Sequence, residues 1–242
     1  MSVARTHVGG PATAQREAAG WRLWRRWTLF TAAGEFVGFA VPAIVMAAGT
    51  VGRWSDMAQV VAAVLAGAVE GAVLGLAQGL ALHRYLPTLS QRAWVVVTAL
   101  GAMAAYLLAM IAVALGDFAQ RHMVLLVVGG VVLGIGFLLS IGLPQWLVLR
   151  RHLPKAGWWM AANAVAWPLG VAMPFILLAL VPDASPFWVW AVAGIASGVL
   201  MGLIVGAITG VVLVRLWRTV RAGEGDERLP IDQDARVRVC QQ

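Results

Sequence analysis

Six long apolar stretches, at roughly 27–49, 57–83, 93–115, 122–149, 156–181 and 187–216, run through the chain almost without charge. A helix needs about 20 mostly apolar residues to cross a bilayer, and each stretch meets that length. A water-soluble domain has no place to hide so many. Of the 242 residues 61% are hydrophobic and 12% are charged, against about 25% charged in an average soluble domain. The polar–apolar alternation that a membrane barrel needs is missing. The expected fold class is therefore all-α, a polytopic membrane protein of six transmembrane helices. Residues 1–26 read as a basic N-terminal segment, 27–217 as the membrane domain and 218–242 as a charged tail, with 1–20 and 222–242 expected to be mobile.

A net charge of +7 on a soluble chain would suggest a nucleic-acid partner. Placing the charges removes that reading. Arg5, Arg16, Arg22, Arg25 and Arg26 precede the first stretch. Arg84 and Arg92 lie in the second gap, and Arg150, Arg151 and Lys155 in the fourth. Arg215, Arg218, Arg221, Arg228, Arg236 and Arg238 close the chain. The alternate gaps hold only Arg53 and Arg121, beside Asp56, Asp117 and Asp183. By the positive-inside rule, both termini and the two basic loops are expected on the cytoplasmic side of a bacterial inner membrane. Trp21, Trp24, Trp27, Trp94, Trp158, Trp159 and Trp217 fall near that boundary, and Trp54, Trp188 and Trp190 near the other, as an aromatic belt would. The bilayer is the expected partner. Arg84, Arg92, Arg150, Arg151 and Lys155 offer a site for an anionic lipid head group, ordinary anchoring being the plainer account. Cys240 is the sole cysteine, so no disulfide and no thiolate metal set can form within the chain. No cofactor is expected.

An internal repeat is readable by eye. Gly75 to Pro87 matches Gly142 to Pro154, and a third copy begins at Gly206. Gly75, Gly142 and Gly206 correspond, as do Leu82, Leu149 and Leu213, and Arg84, Arg151 and Arg215. Trp27, Trp94 and Trp158 each open an odd-numbered stretch, and Thr31 and Thr98 follow at one offset. The unit is a helix pair, with copies at about 27–87, 93–154 and 156–217. A pair returns to its starting side, so the copies are parallel rather than inverted. A pseudo-threefold bundle of helix pairs is expected.

Glycines recur every fourth residue at Gly67, Gly71, Gly75 and Gly79, and again at Gly194, Gly198, Gly202, Gly206 and Gly210. That spacing puts them on one helix face. Without Cβ atoms, helices approach closely, so these faces are expected to be packing contacts.

Glu35 and Glu70 are the ionisable groups well inside the stretches. A charge at that depth costs about 2.5–3.5 kcal/mol or more, so each should face the interior or carry a proton. Counting about 1.5 Å per residue puts Gln78, Gln145 and Thr209 at one depth, with Glu35 close to it, Asn163 and Thr98 slightly nearer the surface, and Glu70 deeper. Glu35, Glu70, Gln78, Gln145, Asn163 and Thr209 are therefore either an interior hydrogen-bonded network or the lining of a polar path. Pro42, Pro168 and Pro174, inside odd stretches, are expected to fit curved packing, the alternative being kinks that open a cavity.

No catalytic signature is found: there is no H-E-x-x-H, G-x-S-x-G or P-loop, and no histidine lies at membrane depth. The block Gly142 to Pro154, with Gly157-Trp158-Trp159 after it, resembles a widespread group of uncharacterised bacterial multi-pass membrane proteins. Gly75 to Pro87 and Gly206 to Gly210 are similar to the same group. The resemblance implies a bacterial inner-membrane protein and brings no assigned reaction. The expected function is transport or permeation of a small solute or ion, with proton linkage through the two acids. The alternative is a non-catalytic scaffold or accessory subunit that binds a lipid, a membrane protein or a second copy of itself.

Overall fold

Backbone N–H and C=O groups find no water in a bilayer core and must bond to one another, which leaves helices as the solution for apolar runs like these. The computed structural model describes residues 11–226, and every element in them is helical. These are α1 (Pro11–Val51), α2 (Asp56–Leu82), α3 (Gln91–Gln120), α4 (Met123–Ser140), α5 (Gly142–Leu149), α6 (Trp158–Ala179) and α7 (Phe187–Asp226). With α4 and α5 taken as one span, six are long and apolar enough to cross a membrane. The chain is thus compatible with a multi-pass integral membrane protein. Arg5, His7, Arg228, Arg236, Arg238 and Cys240 lie outside the described residues.

The first helix departs from expectation. It begins at Pro11 instead of near 27, so residues 11–26 are not a separate segment. Proline suits a first helical turn, and the run Ala14 to Ala19 consists of helix formers. The extension also has a partner, since Leu23 is buried in a core shared with Leu213, Leu216 and Trp217 of α7. The last helix likewise runs on to Asp226.

The fourth span breaks at Ile141 where a continuous helix was expected. Pro144 has no N–H to give the Ser140 carbonyl four residues back. That carbonyl lies instead against Gly101 of α3, where a Cβ would come within 2.6 Å of it. The chain holds the break by close approach at a residue without a side chain.

Each span packs on those before and after it, and α7 packs on α1, so the six close into a ring. Gly206 meets Thr28 and Gly210 meets Trp24, so α1 and α7 run antiparallel, with both ends of the described chain together. Arg26 of α1 donates to the Leu80 carbonyl of α2, placing the Arg84 turn at that same end, hereafter the basic end. Arg84, Arg92, Arg150, Arg151 and Lys155 are all exposed. α4 is the loosest element: none of its residues is buried, and Gly129, Gly130 and Gly134 have no neighbouring atom where a Cβ would stand.

Candidate membrane-embedded acid site

Three tryptophans close the centre of the ring at the basic end. Trp27, Trp94 and Trp159 are at most 1% exposed, with ring centroids 5.6–6.3 Å apart and edges turned on faces. Edge-to-face contact is the favoured aromatic geometry. Leu82, Leu149, Leu153 and Leu213 fill in around them. Trp27, Trp94 and Trp159 were expected in the boundary belt, but they are core residues. Trp158, read as the residue that opens the third pair, is 66% exposed, and Trp159 takes the buried place. One residue turns a helical side chain by about 100°, which separates the two roles.

A buried indole N–H needs an acceptor, and the amide layer provides one for each. Trp27 Nε1 donates to Thr209 Oγ1 at 2.9 Å, Trp94 Nε1 to Gln78 Oε1 at 3.3 Å and Trp159 Nε1 to Gln145 Oε1 at 3.1 Å. Gln145 Nε2 donates in turn to Gln78 Oε1 and to Thr98 Oγ1, both at 3.0 Å. Thr98, Asn163 and Thr209 return bonds to the carbonyls four residues back in their own helices. Asn163 Oδ1 accepts from Trp167 Nε1 at 3.0 Å. Gln78, Gln145, Asn163 and Thr209 are thus an interior network whose partners are all protein groups. None of them borders the cavity that the two acids line.

The two acids lie on the other side of this layer. They line one cavity of about 250 Å³, bounded by residues of α1, α2, α3, α4, α6 and α7. The depth count set Glu35 near the amides and Glu70 deeper, but the carboxyls face each other. Glycines permit this. Gly202 of α7 lets Glu35 sit where a Cβ would come within 2.8 Å of Glu35 Cβ, and Gly38 of α1 does the same for Glu70 at 3.2 Å from its Cγ. Tyr106 donates its hydroxyl to Glu70 Oε2 at 2.7 Å. Glu35 is fully buried, and among the described residues its carboxyl meets no hydrogen-bonding group but the Glu70 carboxyl.

The remaining lining is apolar, with Phe39, Tyr106, Phe137, Trp167 and Phe175 as its aromatic members. Phe175, 73% exposed, marks the side on which the cavity reaches the surface of the ring, beside loosely packed α4. Tyr106, Trp167 and the aromatic rim were missed from sequence. A period of eight residues from the buried tryptophans, which joins Glu35 to Trp167, was the signal that could have found one of them.

The glycine ladders have unequal contacts. Where a Cβ would stand, Gly67 meets Tyr106, Gly71 meets Ala102 and the Thr98 carbonyl, Gly75 meets Val95, Gly202 meets Ala32 and Gly206 meets Thr28, all within 3.0 Å. Gly198 is looser, 3.6 Å from Phe39. Among the described residues no cluster of three or more His, Cys, Asp or Glu side chains could hold a metal ion. No protein-family model, no curated protein and no solved structure matches the chain.

Proposed function

We propose that the protein moves a small solute or ion across a bacterial inner membrane, coupled to a proton carried by Glu35 and Glu70. One observation carries this reading. The Glu35 carboxyl stands fully buried beside a cavity, and the one group it meets among the described residues is a second carboxyl, Glu70. Ionisable groups at membrane depth are expensive and mark ion or substrate pathways. Two facing carboxylates repel strongly in a poorly polar interior, so the pair is suited to hold one proton or exchange it for one cation.

The proposal includes three copies of a helix pair around the cavity. In its support, Trp27, Trp94 and Trp159 each bond to the equivalent position of the preceding pair, in a cycle: Thr209, Gln78 and Gln145. Gly206, Gly75 and Gly142 each abut the residue four places after one of those tryptophans: Thr31, Thr98 and Asn163. At eight places after them stand Glu35, Ala102 and Trp167, all lining the cavity. The acids then belong to one copy of a repeated frame, as an added function would. The resemblance to bacterial multi-pass proteins and the charge asymmetry support the inner membrane, with the basic end cytoplasmic and able to hold anionic lipid.

The test is flux in proteoliposomes under an imposed pH gradient, with Glu35→Gln and Glu70→Gln. Transport predicts at least a tenfold loss of proton-coupled flux in either variant. Two folded variants with every flux intact would remove the reading. The second reading, a scaffold or accessory subunit, is favoured by α4, whose Gly130 and Gly134 pack on nothing within the chain. An impermeable wild-type protein that co-purifies with a membrane partner or a second copy would support it.

A further inference from the structure

We infer that the cavity binds a small lipophilic cation, an amine or quaternary ammonium attached to an apolar or aromatic body; this rests on the transport reading and names its substrate class. The lining selects by chemistry. Among the described residues no Lys, Arg or His side chain lines the cavity, so an anion finds no counter-charge in that lining and meets two carboxyls. A sugar or another heavily hydroxylated solute would need many hydrogen-bonding partners, and the polar side chains of the lining are Glu35, Glu70 and Tyr106 alone. A bare metal ion needs several oxygen ligands in a shell, and three side-chain groups amid apolar walls do not make one.

A lipophilic cation fits each feature. Glu35 and Glu70 offer a facing pair of buried carboxyls whose partners among the described residues are each other and Tyr106, and a cation neutralises the charge of the pair. Phe39, Tyr106, Phe137, Trp167 and Phe175 border the same space, and aromatic rings attract ammonium groups over their faces. The apolar walls from Leu74, Ala105 and Val171 take the body. Volume sets the size. About 250 Å³ lies just under the range of roughly 300–1,000 Å³ that holds drug-sized ligands, so the ligand is small. The exposed rim at Phe175 is a route that such a compound, already dissolved in lipid, can use. The proton and the cation then compete for one site. The titratable groups facing it are Glu35 from α1, Glu70 from α2 and Tyr106 from α3, while α4, α6 and α7 bring none.

Binding of benzyltrimethylammonium to the purified full chain in nanodiscs, by calorimetry, tests this. Neopentylbenzene, which replaces the nitrogen with carbon at the same shape, is the control. The expected result is cation binding at least tenfold tighter than that of the isostere, weakened at least tenfold by Glu35→Gln, and accompanied by proton release. Tyr106→Phe serves as a second variant that keeps the ring and should weaken binding less than Glu35→Gln. Equal binding of cation and isostere, or cation binding indifferent to Glu35→Gln in a folded variant, overturns the inference. No cation binding alongside a Glu35-dependent proton flux also overturns it and leaves the transport reading standing. Cation binding as expected with no flux of any solute supports the site and removes transport.

Discussion

At the scale of single residues, Gln145 is the point on which the interior network turns. Its amide gives two hydrogen bonds and takes one, reaching α2, α3 and α6 from α5. Gln145→Leu keeps much of the bulk and strands the Trp159 indole N–H in a dry core. An unmade bond of that kind costs about 1–3 kcal/mol. Thr98→Val removes one acceptor, but the Gln145 amide keeps Gln78, so the loss should stay near the ~0.6 kcal/mol average for an interhelical bond in lipid. Thermal unfolding in detergent should therefore rank Gln145→Leu well below Thr98→Val, and the reverse order would contradict the network. The common level of Gln78, Gln145 and Thr209 was legible because each stands six residues before an arginine: Arg84, Arg151 and Arg215. The pairing of Glu35 with Glu70 was not. Distance along a helix fixes depth, whereas the meeting of two side chains depends on how closely helices approach, here at Gly38 and Gly202. Nor could a tryptophan near the end of a span be sorted by itself into belt or core. Trp158 and Trp159 differ only in helical phase.

Whole elements obey the same rule of close approach, and they give a sign test. Ala at Gly71 would put a Cβ 2.6 Å from Ala102 Cβ and 2.7 Å from the Thr98 carbonyl, so α2 and α3 must separate. Overpacking of this kind typically costs 1–3 kcal/mol, about the range expected here. At Gly134, where nothing stands within 4 Å, the same substitution removes backbone freedom and gains up to about 1 kcal/mol of helix propensity. Gly71→Ala should lower Tm while Gly134→Ala leaves it unchanged or raises it. Equal losses at both would mean that α4 packs as tightly as α2. The ladders were visible in sequence as spacing alone, which says that a face is smooth and not what lies on it. The break at Ile141 was hidden for a related reason. Pro144 announces a lost bond, but whether the helix bends, breaks or continues depends on what receives the Ser140 carbonyl, and that is Gly101 in a different span.

For the molecule as a whole, the number of apolar helices was legible from apolar length, and the meeting of the two ends of the described chain followed from their even number. Ring closure was implied by the expected pseudo-threefold arrangement, in which the third pair meets the first, and α7 does pack on α1. Closure has a consequence for transport. The cavity reaches the surface near Phe175 and is sealed towards the basic end by two layers, the amide network and the tryptophan cluster with its leucines. A carrier must open this seal only when the other side is shut, because two openings at once would dissipate the gradient that drives it. Under the proposed transport function, the seal is the barrier that couples proton to solute. Trp94 sits in it, wholly buried and touching both other tryptophans. Trp94→Ala should cost about 3–5 kcal/mol of stability, and in the fraction that remains folded it should raise passive cation leak in proteoliposomes while abolishing accumulation against a gradient. Adding Glu35→Gln to that variant should leave the leak in place, because a breached seal no longer needs the acid to exchange its proton. A folded Trp94→Ala protein that still accumulates solute with no added leak would place the barrier elsewhere in the ring.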